Sequence, residues 1–341
     1  MAGGLTPPAL IAAVSNAGGL GSLGAAYLSP DEIRAQVAEI RRLTDRPFAV
    51  NLFTGGRGPA DAPDPEPMLD VLARFHTELG LPAPQLPPEQ PDPTPEQLEA
   101  VIELRVPVFS FVFGIPDRAA IAELKRLGTL VVGGATTVGE ARMVEEAGAD
   151  AVVAQGSEAG GHRATFAAPF EAAMVGTVAL VPQVVDAVRI PVIAAGGIMD
   201  GRGIAAALAL GAAAVQMGTA FLGADEATLA PGFLRALAEA DDVSTVVTRA
   251  FSGRHARGIR NAFVEQTEGA GVAPLPFPLQ NALTRPMRNA AVRQDRTDAI
   301  SMWAGQAARL VRRAPAADIV RRLVDETADA VRRLSGARTG G

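Results

Sequence analysis

The stretch Arg189–Phe221, RIPVIAAGGIMDGRGIAAALALGAAAVQMGTAF, decides the fold. Its first apolar run predicts a buried strand over 191–195, and a Gly-Gly turn follows. Asp200 is a typical helix N-cap, and Gly211 stands where a C′ glycine would end the helix. A second apolar run over 213–217 predicts the next strand. The stretch therefore predicts a complete β-α-β unit of a parallel sheet.

The same unit recurs upstream in Leu130–Gly156, LVVGGATTVGEARMVEEAGADAVVAQG, where Gly148 ends the helix. Repetition of one such unit indicates a barrel or a wound sheet. Seven strands are predicted, near Leu20–Leu23, Phe48–Leu52, Val106–Phe111, Thr129–Val132, Ala151–Ala154, Val192–Ala195 and Ala213–Met217. A (β/α)8 barrel has eight strands. We therefore predict an α/β fold, a TIM barrel whose first strand is missing or truncated and would lie before Met1.

The β-α rhythm stops after Phe221, which suggests two domains. Residues 1–221 are predicted to form the barrel. Residues 222–303 mix helix-like pieces with Arg-, Gly- and Pro-rich stretches and are predicted to form a smaller substrate or cap domain. Residues 304–341 are predicted to return to the barrel as a C-terminal helix, because apolar residues recur there at helical spacing: Ile319, Val320, Leu323, Val324 and Val331.

Composition excludes several classes of function. The chain has 31 Lys plus Arg against 37 Asp plus Glu, a net charge of -6, which gives no electrostatic reason to expect nucleic acid or an anionic membrane as a partner. The lack of cysteine excludes disulfides, thiolate metal ligands and a cysteine nucleophile. The N-terminus lacks the basic-then-apolar pattern that predicts a signal sequence, and no apolar run approaches the ~20 residues that span a bilayer. We predict a cytoplasmic protein without a metal site, and the oligomeric state stays open, a homodimer included.

Two neighbouring strand ends carry glycines, in GGI after one strand and in QMGT after the next. The carboxyl ends of the strands form the site in parallel barrels, and the last two commonly hold a phosphate. Glycines let backbone N–H groups approach an anion, and a following helix adds its positive end. A single glycine pair more often only permits a tight turn. Two adjacent ends of this kind predict a phosphate cradle made of Gly197, Gln216, Met217, Gly218 and Thr219.

The stretch Ala151–Phe166, AVVAQGSEAGGHRATF, holds one of only three histidines. Gln155 lies at a strand tip, and the glycines that follow, Gly160 among them, permit a loop folded over the barrel mouth. A neutral imidazole there can take a proton at cellular pH. A lone histidine is more often structural, but the flanking glycines contribute no packing. We therefore predict that His162 is a catalytic or ligand-contacting residue.

Other polar residues carry weaker signals. Asn51 ends the FAVNL strand and could aim its amide into the same mouth, although Asn at a strand end is usually a turn former. His76 is predicted on a surface helix and His255 in a basic loop, so neither is assigned a role. Glu158 is predicted as a solvated loop acid. An exposed basic loop is favoured over a grip on an anionic substrate for four arginines: Arg249, Arg254, Arg257 and Arg260.

The chain resembles the nitronate monooxygenase family, formerly the 2-nitropropane dioxygenases, over nearly its whole length. The residues that carry the resemblance include AGGLTPPALIAAVSNAGGLGSLGAAYLSP, RPFAVNLF, VVAQGSEAGGHRATF, IPVIAAGGIMDGRGIAAALALGAAAVQMGTAFL, TRAFSGRHARGIRN and MWAGQ. The resemblance implies a barrel that binds FMN non-covalently, a smaller domain over the flavin, and oxidation of alkyl nitronates by O₂ to a carbonyl compound and nitrite. It places FMN contacts on Asn51, Gln155, Gly160, Gly197 and Gln216–Thr219, and the histidine near the flavin on His162.

The mechanism that the resemblance implies gives His162 one of two tasks: to hydrogen-bond the nitro group, or to remove the α-proton of a neutral nitroalkane. Two alternative functions stay open. One is an NADH-dependent FMN reductase of the enoyl reductase or quinone reductase type, and the other is a flavin-binding barrel without turnover. An inosine monophosphate dehydrogenase type of enzyme is excluded, because it needs a cysteine nucleophile and the chain has none.

Overall fold

The computed structural model describes residues 3–55, 62–88 and 91–336. The predicted missing strand would precede Met1, which lies outside the described residues. The end of the predicted 304–341 segment, residues 337–341, also lies outside them. Within this part of the chain the strands are β1 (Gly21–Gly24), β2 (Phe48–Phe53), β3 (Val108–Val112), β4 (Leu130–Ala135), β5 (Ala151–Gln155), β6 (Gly161–His162), β7 (Val192–Ala195), β8 (Ala214–Gln216), β9 (Thr245–Thr248) and β10 (Ala256–Ile259).

Helices alternate with the barrel strands and continue to the end of the described chain. They are α1 (Pro8–Asn16), α2 (Pro30–Leu43), α3 (Glu66–Glu78), α4 (Thr94–Leu104), α5 (Arg118–Arg126), α6 (Val138–Glu146), α7 (Thr177–Ala187), α8 (Gly201–Ala209), α9 (Pro231–Glu239), α10 (Ala262–Gly269), α11 (Leu279–Arg293) and α12 (Ala316–Gly336), with 3₁₀ turns at Thr219–Gly223 and Ala308–Leu310. No helix of the described residues has the length and apolar character needed to cross a membrane.

The central sheet is parallel and TIM-barrel-like, as predicted. Its seven strands stand in the order β1-β2-β3-β4-β5-β7-β8, and each predicted strand is found within a few residues of its expected place. Every pair is parallel. Among the described residues β1 and β8 are the two edges of this sheet, so it curls as an open barrel. The carboxyl ends of all seven strands therefore meet at one mouth.

The β7-α8-β8 unit forms as the opening stretch predicts. The Asp200 side chain accepts hydrogen bonds from the N–H groups of Arg202 and Gly203 and so caps α8. Gly211 ends the helix at φ 94°, a left-handed conformation in which a Cβ is strained. Both signals depend on a few neighbouring residues alone, and both are confirmed.

The C-terminal helix α12 packs against α8 and α1. Ile319 and Leu323 on its inner face are buried with Leu10 of α1. Val324 and Val331 are 63% and 46% exposed, so the apolar stripe is narrower than the sequence predicts. Consecutive residues on a helix lie 100° apart, so Val324 and Val331, which follow the buried Leu323 and Ala330, lie outside the inner face of this helix.

A second apolar cluster lies beside the barrel core. A three-stranded antiparallel sheet, in the order β6-β10-β9, belongs to this region, and β6 comes from the loop after β5. Helix α3, which precedes residue 222, also packs there against α10 and α11. The domain division 1–221, 222–303 and 304–341 stays a prediction.

Candidate active site at the mouth of the barrel

Three predicted site regions lie side by side at the ends of β5, β7 and β8. Gln155 is in register with Ala195, and Ala195 with Gln216, so these residues form one row across the sheet. Gly196 and Gly197 follow this row with φ values of 113° and 71°. Both values lie in the left-handed region, which glycine adopts without strain. Any other residue would be strained in this turn, so the orientation of its peptide groups depends on the two glycines.

Free backbone donors collect at this edge. The N–H groups of Gly197, Gly218 and Thr219 donate to no acceptor among the described residues. Backbone N–H groups without a protein acceptor at neighbouring strand ends can bind an anion, so the residues present fit a phosphate monoester such as that of FMN. Met217 could contribute only its backbone, because its side chain packs into the apolar layer behind the sheet. Gln216 is exposed on the edge strand.

Gly160 joins this edge through the segment after α11. A Cβ on Gly160 would lie 2.5 Å from Ala304 C and Gly305 N, closer than real Cβ contacts. The Gly305 N–H donates to Thr219 Oγ1 at 3.0 Å. The glycine at position 160 is therefore required by the close approach of the 304–305 backbone, and that approach brings the β5 loop beside the end of β8.

Gln155 holds the loop that carries His162. Its Nε2 donates to the His162 carbonyl oxygen at 3.0 Å, and its Oε1 accepts from Ala164 N at 2.9 Å and Arg163 Nη1 at 3.2 Å. Glu140 anchors the same loop from its far side. The amide of Gln155 thus positions the loop, and one Nε2 hydrogen stays available for a ligand.

Glu140 is a buried carboxylate that fixes the far side of the loop. Its Oε1 accepts from Thr165 Oγ1, Phe166 N and Ala167 N at 2.7–2.9 Å, and its Oε2 accepts from the N and Oγ1 of Thr136. Burial acts to raise its pKa, but hydrogen bonds from Ala167, Thr136 and Phe166 bring the pKa below its ordinary value. Glu140 is therefore an ionised anchor of the loop.

His162 lies where the loop meets the smaller sheet. It pairs with Ala256 of β10, and Arg163 N donates to the His255 carbonyl oxygen at 2.8 Å. Aromatic rings enclose the imidazole, with centroids 5.5–6.2 Å from its own; they belong to Phe53, Phe113, Phe277 and Trp303. The histidine thus occupies an apolar cage at the mouth, built from four segments distant in sequence.

The cage keeps His162 neutral. Burial lowers the pKa of His162 to about 3, and the positive charges of Arg254 and Arg288 act in the same direction. At neutral pH the imidazole is therefore uncharged, with one nitrogen protonated and the other carrying a lone pair.

Arg254 and Arg288 are two enclosed cations that form no direct ion pair with a carboxylate among the described residues, although the charge of Glu140 acts on Arg254 and favours its charged form. The Arg254 guanidinium lies 3.8 Å from the centre of the Phe113 ring and donates to the Thr165 carbonyl oxygen, and its Nε is buried without a partner. Arg288 donates only to Asn281 and to Thr284 Oγ1. Burial lowers the pKa of each arginine to about 10, so both stay positive at neutral pH.

Asn51 and Phe53 share one face of β2, since side chains alternate along a strand. Phe53 belongs to the cage around His162, and Asn51 lies one row deeper, where its Nδ2 donates to Ser110 Oγ at 2.9 Å. The structure thus places Asn51 on the same side of the sheet as the cage. Its carbonyl oxygen Oδ1 has no partner among the described residues.

Several expectations for polar residues are wrong. His76 is buried, with Nδ1 2.6 Å from the Pro82 carbonyl oxygen, because α3 packs under the second apolar cluster. Glu158 is not a solvated acid: its carboxylate accepts from Thr177 N and Oγ1 at the start of α7. Arg254 is partly buried and Arg257 is buried, so they do not form an exposed basic loop.

Sequence reasoning missed Arg288, Ser252 and Phe113. Arg288 lies on an ordinary amphipathic helix and gives no local signal. Ser252 stands in FSGRHARG, where the charged and histidine side chains give a signal and the serine gives none. Phe113 adopts φ 79°, an outlier for a bulky side chain. It is followed by Gly114 in VFGIP, and that glycine was the only available hint of an unusual turn.

The fold and the residues at its mouth define a class: barrel enzymes that bind a small molecule at the carboxyl ends of parallel strands. A family model described as nitronate monooxygenase matches residues 1–326. A probable nitronate monooxygenase of Staphylococcus aureus (strain Newman) is 42% identical over 325 residues, which covers 95% of this chain and 91% of that protein.

Two solved structures are also similar over nearly the whole chain. A nitroalkane oxidase from Streptomyces ansochromogenes has a TM-score of 0.90 and 42% identity, covering 98% of this chain and 95% of that one. FabK from Thermotoga maritima has a TM-score of 0.77 and 35% identity, covering 98% and 94%. The chain belongs to the nitronate monooxygenase family and is a flavin-dependent oxidoreductase.

Proposed function

We propose that this protein uses FMN to oxidise alkyl nitronates with O₂, giving a carbonyl compound and nitrite. The observation that carries the proposal is the pair of enclosed guanidiniums, Arg254 and Arg288, beside a neutral His162. An enclosed cation that forms no direct ion pair is costly, and an anionic ligand offsets that cost. A nitronate is an anion small enough for an aromatic cage.

The proposed FMN site uses the backbone N–H groups at the ends of β7 and β8 that have no protein acceptor. Gly197, Gly218 and Thr219, with the backbone of Met217 and the exposed Gln216, would hold the phosphate. A further set would contact the rest of the flavin: Asn51, Gln155 and Gly160. FMN when bound supplies the redox chemistry, accepting electrons from the substrate and passing them to O₂.

The chain's own residues bind and orient the substrate. The charges of Arg254 and Arg288 attract the nitronate, and the Phe53, Phe113 and Phe277 rings keep water away from it, which strengthens that attraction. His162 is the proposed catalytic residue, held over the site by Gln155. The proposal includes a cytoplasmic location and small-molecule partners only, the nitronate and O₂; homodimer formation stays a prediction.

Anaerobic mixing separates this function from its main alternative. The purified protein is expected to be yellow and to release FMN on heating. A preformed alkyl nitronate should bleach the flavin within the mixing time, whereas NADH should leave it oxidised. Admission of air should then yield nitrite. Fast bleaching by NADH and none by nitronate would instead identify a reductase, and bleaching by neither would leave a binding protein.

Substitution of Arg254 tests its role in binding the nitronate. We expect Arg254→Met to raise the KM for nitronate about 10-fold or more, the scale of one lost charge-assisted hydrogen bond, with FMN still bound. Arg260→Met is the matched control, because Arg260 is exposed and pairs with Glu268. Equal KM values in the two variants would contradict the role of Arg254.

A further inference from the structure

Ser252 links the catalytic candidate to the backbone of Arg254. His162 Nε2 lies 2.8 Å from Ser252 Oγ. Ser252 Oγ lies 3.0 Å from the Arg254 carbonyl oxygen and accepts from Arg254 N at 3.3 Å. Ser252 is buried, at 1% exposure, so these groups are the partners among the described residues that its hydroxyl can use.

The direction of each hydrogen bond follows from what each atom can do. A carbonyl oxygen only accepts, so the single hydroxyl hydrogen of Ser252 goes to the Arg254 carbonyl. The Arg254 N–H only donates and takes one lone pair of Oγ. The remaining lone pair of Oγ faces His162 Nε2, which must therefore carry the imidazole hydrogen. The other arrangement would set the lone pairs of Ser252 Oγ and the carbonyl oxygen against each other at 3.0 Å.

The second ring nitrogen is consequently a lone-pair atom. His162 Nδ1 has no hydrogen-bond partner among the described residues. It is not fully buried either, unlike the unpartnered Nε atoms of Arg163 and Arg254. It is therefore the accessible nitrogen of the ring. No carboxylate of the described residues pairs with the imidazole. The positive charges of the two nearby guanidiniums disfavour a second proton on the ring, so Nδ1 stays unprotonated.

We infer that Ser252 is a positioning residue that holds His162 as the Nε2–H tautomer and so presents Nδ1 to the site as an acceptor. The inference uses the proposed function only for its kinetic consequence. An Nδ1 lone pair cannot donate to a nitro oxygen, so of the two tasks open to His162 it selects proton acceptance. With a neutral nitroalkane, the α-C–H bond breaks, its proton goes to Nδ1, and its electron pair moves onto the nitro group, which becomes a nitronate.

The tautomer is measurable without turnover. The chain has three histidines, so ¹⁵N-histidine labelling gives few signals, and His162→Asn assigns those of His162. In the wild type we expect a protonated, pyrrole-type Nε2 and a pyridine-type Nδ1. Ser252→Thr should keep this pattern because it keeps the hydroxyl, and Ser252→Ala should shift it towards a mixture. A protonated Nδ1 in the wild type, or an unchanged pattern in Ser252→Ala, overturns the inference.

Kinetics separate positioning from simple packing. Ser252→Ala should lower kcat/KM for a neutral nitroalkane about 10-fold, since proton acceptance needs the correct tautomer, and should change kcat/KM for the preformed nitronate less than threefold. Equal losses on both substrates would show a structural role and overturn the inference. If the wild type turns over neither substrate, the proposed function fails, and the ¹⁵N signals still decide the tautomer.

Discussion

The enclosed, neutral His162 should make the stability of the protein fall between pH 7.5 and pH 5. The folded-state pKa is lowered to about 3, whereas the unfolded chain has the ordinary value of 6.5. Below pH 6.5 the unfolded state binds a proton that the folded state refuses. Linkage therefore makes unfolding more favourable as the pH falls through this window, until the folded state also takes up the proton near pH 3. The perturbation is His162→Asn, which removes the titrating group.

The magnitude follows from the two pKa values. At pH 5 the unfolded imidazole is almost fully protonated, and the folded one almost fully neutral for any folded-state pKa below about 4. The wild type should thus lose about 2 kcal/mol of unfolding free energy from this group between pH 7.5 and pH 5, at about 1.4 kcal/mol per pKa unit. His162 is only half-buried by its exposed area, which makes this an upper figure.

Urea unfolding at pH 7.5, 6.5, 5.5 and 5.0 measures the effect in the wild type and in His162→Asn. Their difference isolates His162, because every other titrating group is common to both, including His255, whose pKa burial also lowers. We expect the wild type to lose more stability than the variant, the gap opening below pH 6.5. His162→Gln should repeat the variant's profile. Parallel profiles in all three proteins would refute the argument that the cage holds His162 neutral.

Three further substitutions test the supports of the site. Gly160→Ala should cost about 1–3 kcal/mol of unfolding free energy and weaken flavin retention, because its Cβ would meet the Ala304 backbone; a flavin content equal to wild type, measured by absorbance, would contradict this. Glu140→Gln should cost about 3 kcal/mol in urea unfolding, since an amide placed among N–H donors leaves buried groups unpaired; a loss below about 1 kcal/mol would count against Glu140 as the anchor. Phe113→Gly should be about 1 kcal/mol more stable than Phe113→Ala, because only glycine relaxes at φ 79°; equal melting curves would show that the left-handed backbone stores no strain.

Local patterns were enough to predict much of the fold. The seven strands are short apolar runs of a parallel sheet, whose pattern does not depend on distant residues. Asp200 and Gly211 delimit α8 through contacts with their own neighbours. The meeting of Gln155, Gly197 and Gln216 at one edge of the sheet was predictable as well. Once strands are parallel and consecutive, their carboxyl ends must meet.

Burial depends on distant parts of the chain and was not predictable. His76 and Arg254 look like surface residues in sequence, yet α3 and the loop after β9 pack inward against elements far along the chain. Val324 looks like a core residue, yet it faces outward on α12. A hydrophobic pattern says which face of an element is apolar, not how wide a surface the rest of the fold offers to it.

The sequence by itself determined the parallel barrel and the glycine-rich strand ends, and it was enough to predict His162 as a catalytic or ligand-contacting residue. Only the tertiary structure decided the charge state and hydrogen bonding of that histidine. Its cage, its Ser252 partner and the two guanidiniums beside it come from segments spread along the chain from Phe53 to Trp303. The pKa and tautomer of a side chain depend on the atoms within a few ångströms of it, and folding selects those atoms from the whole chain.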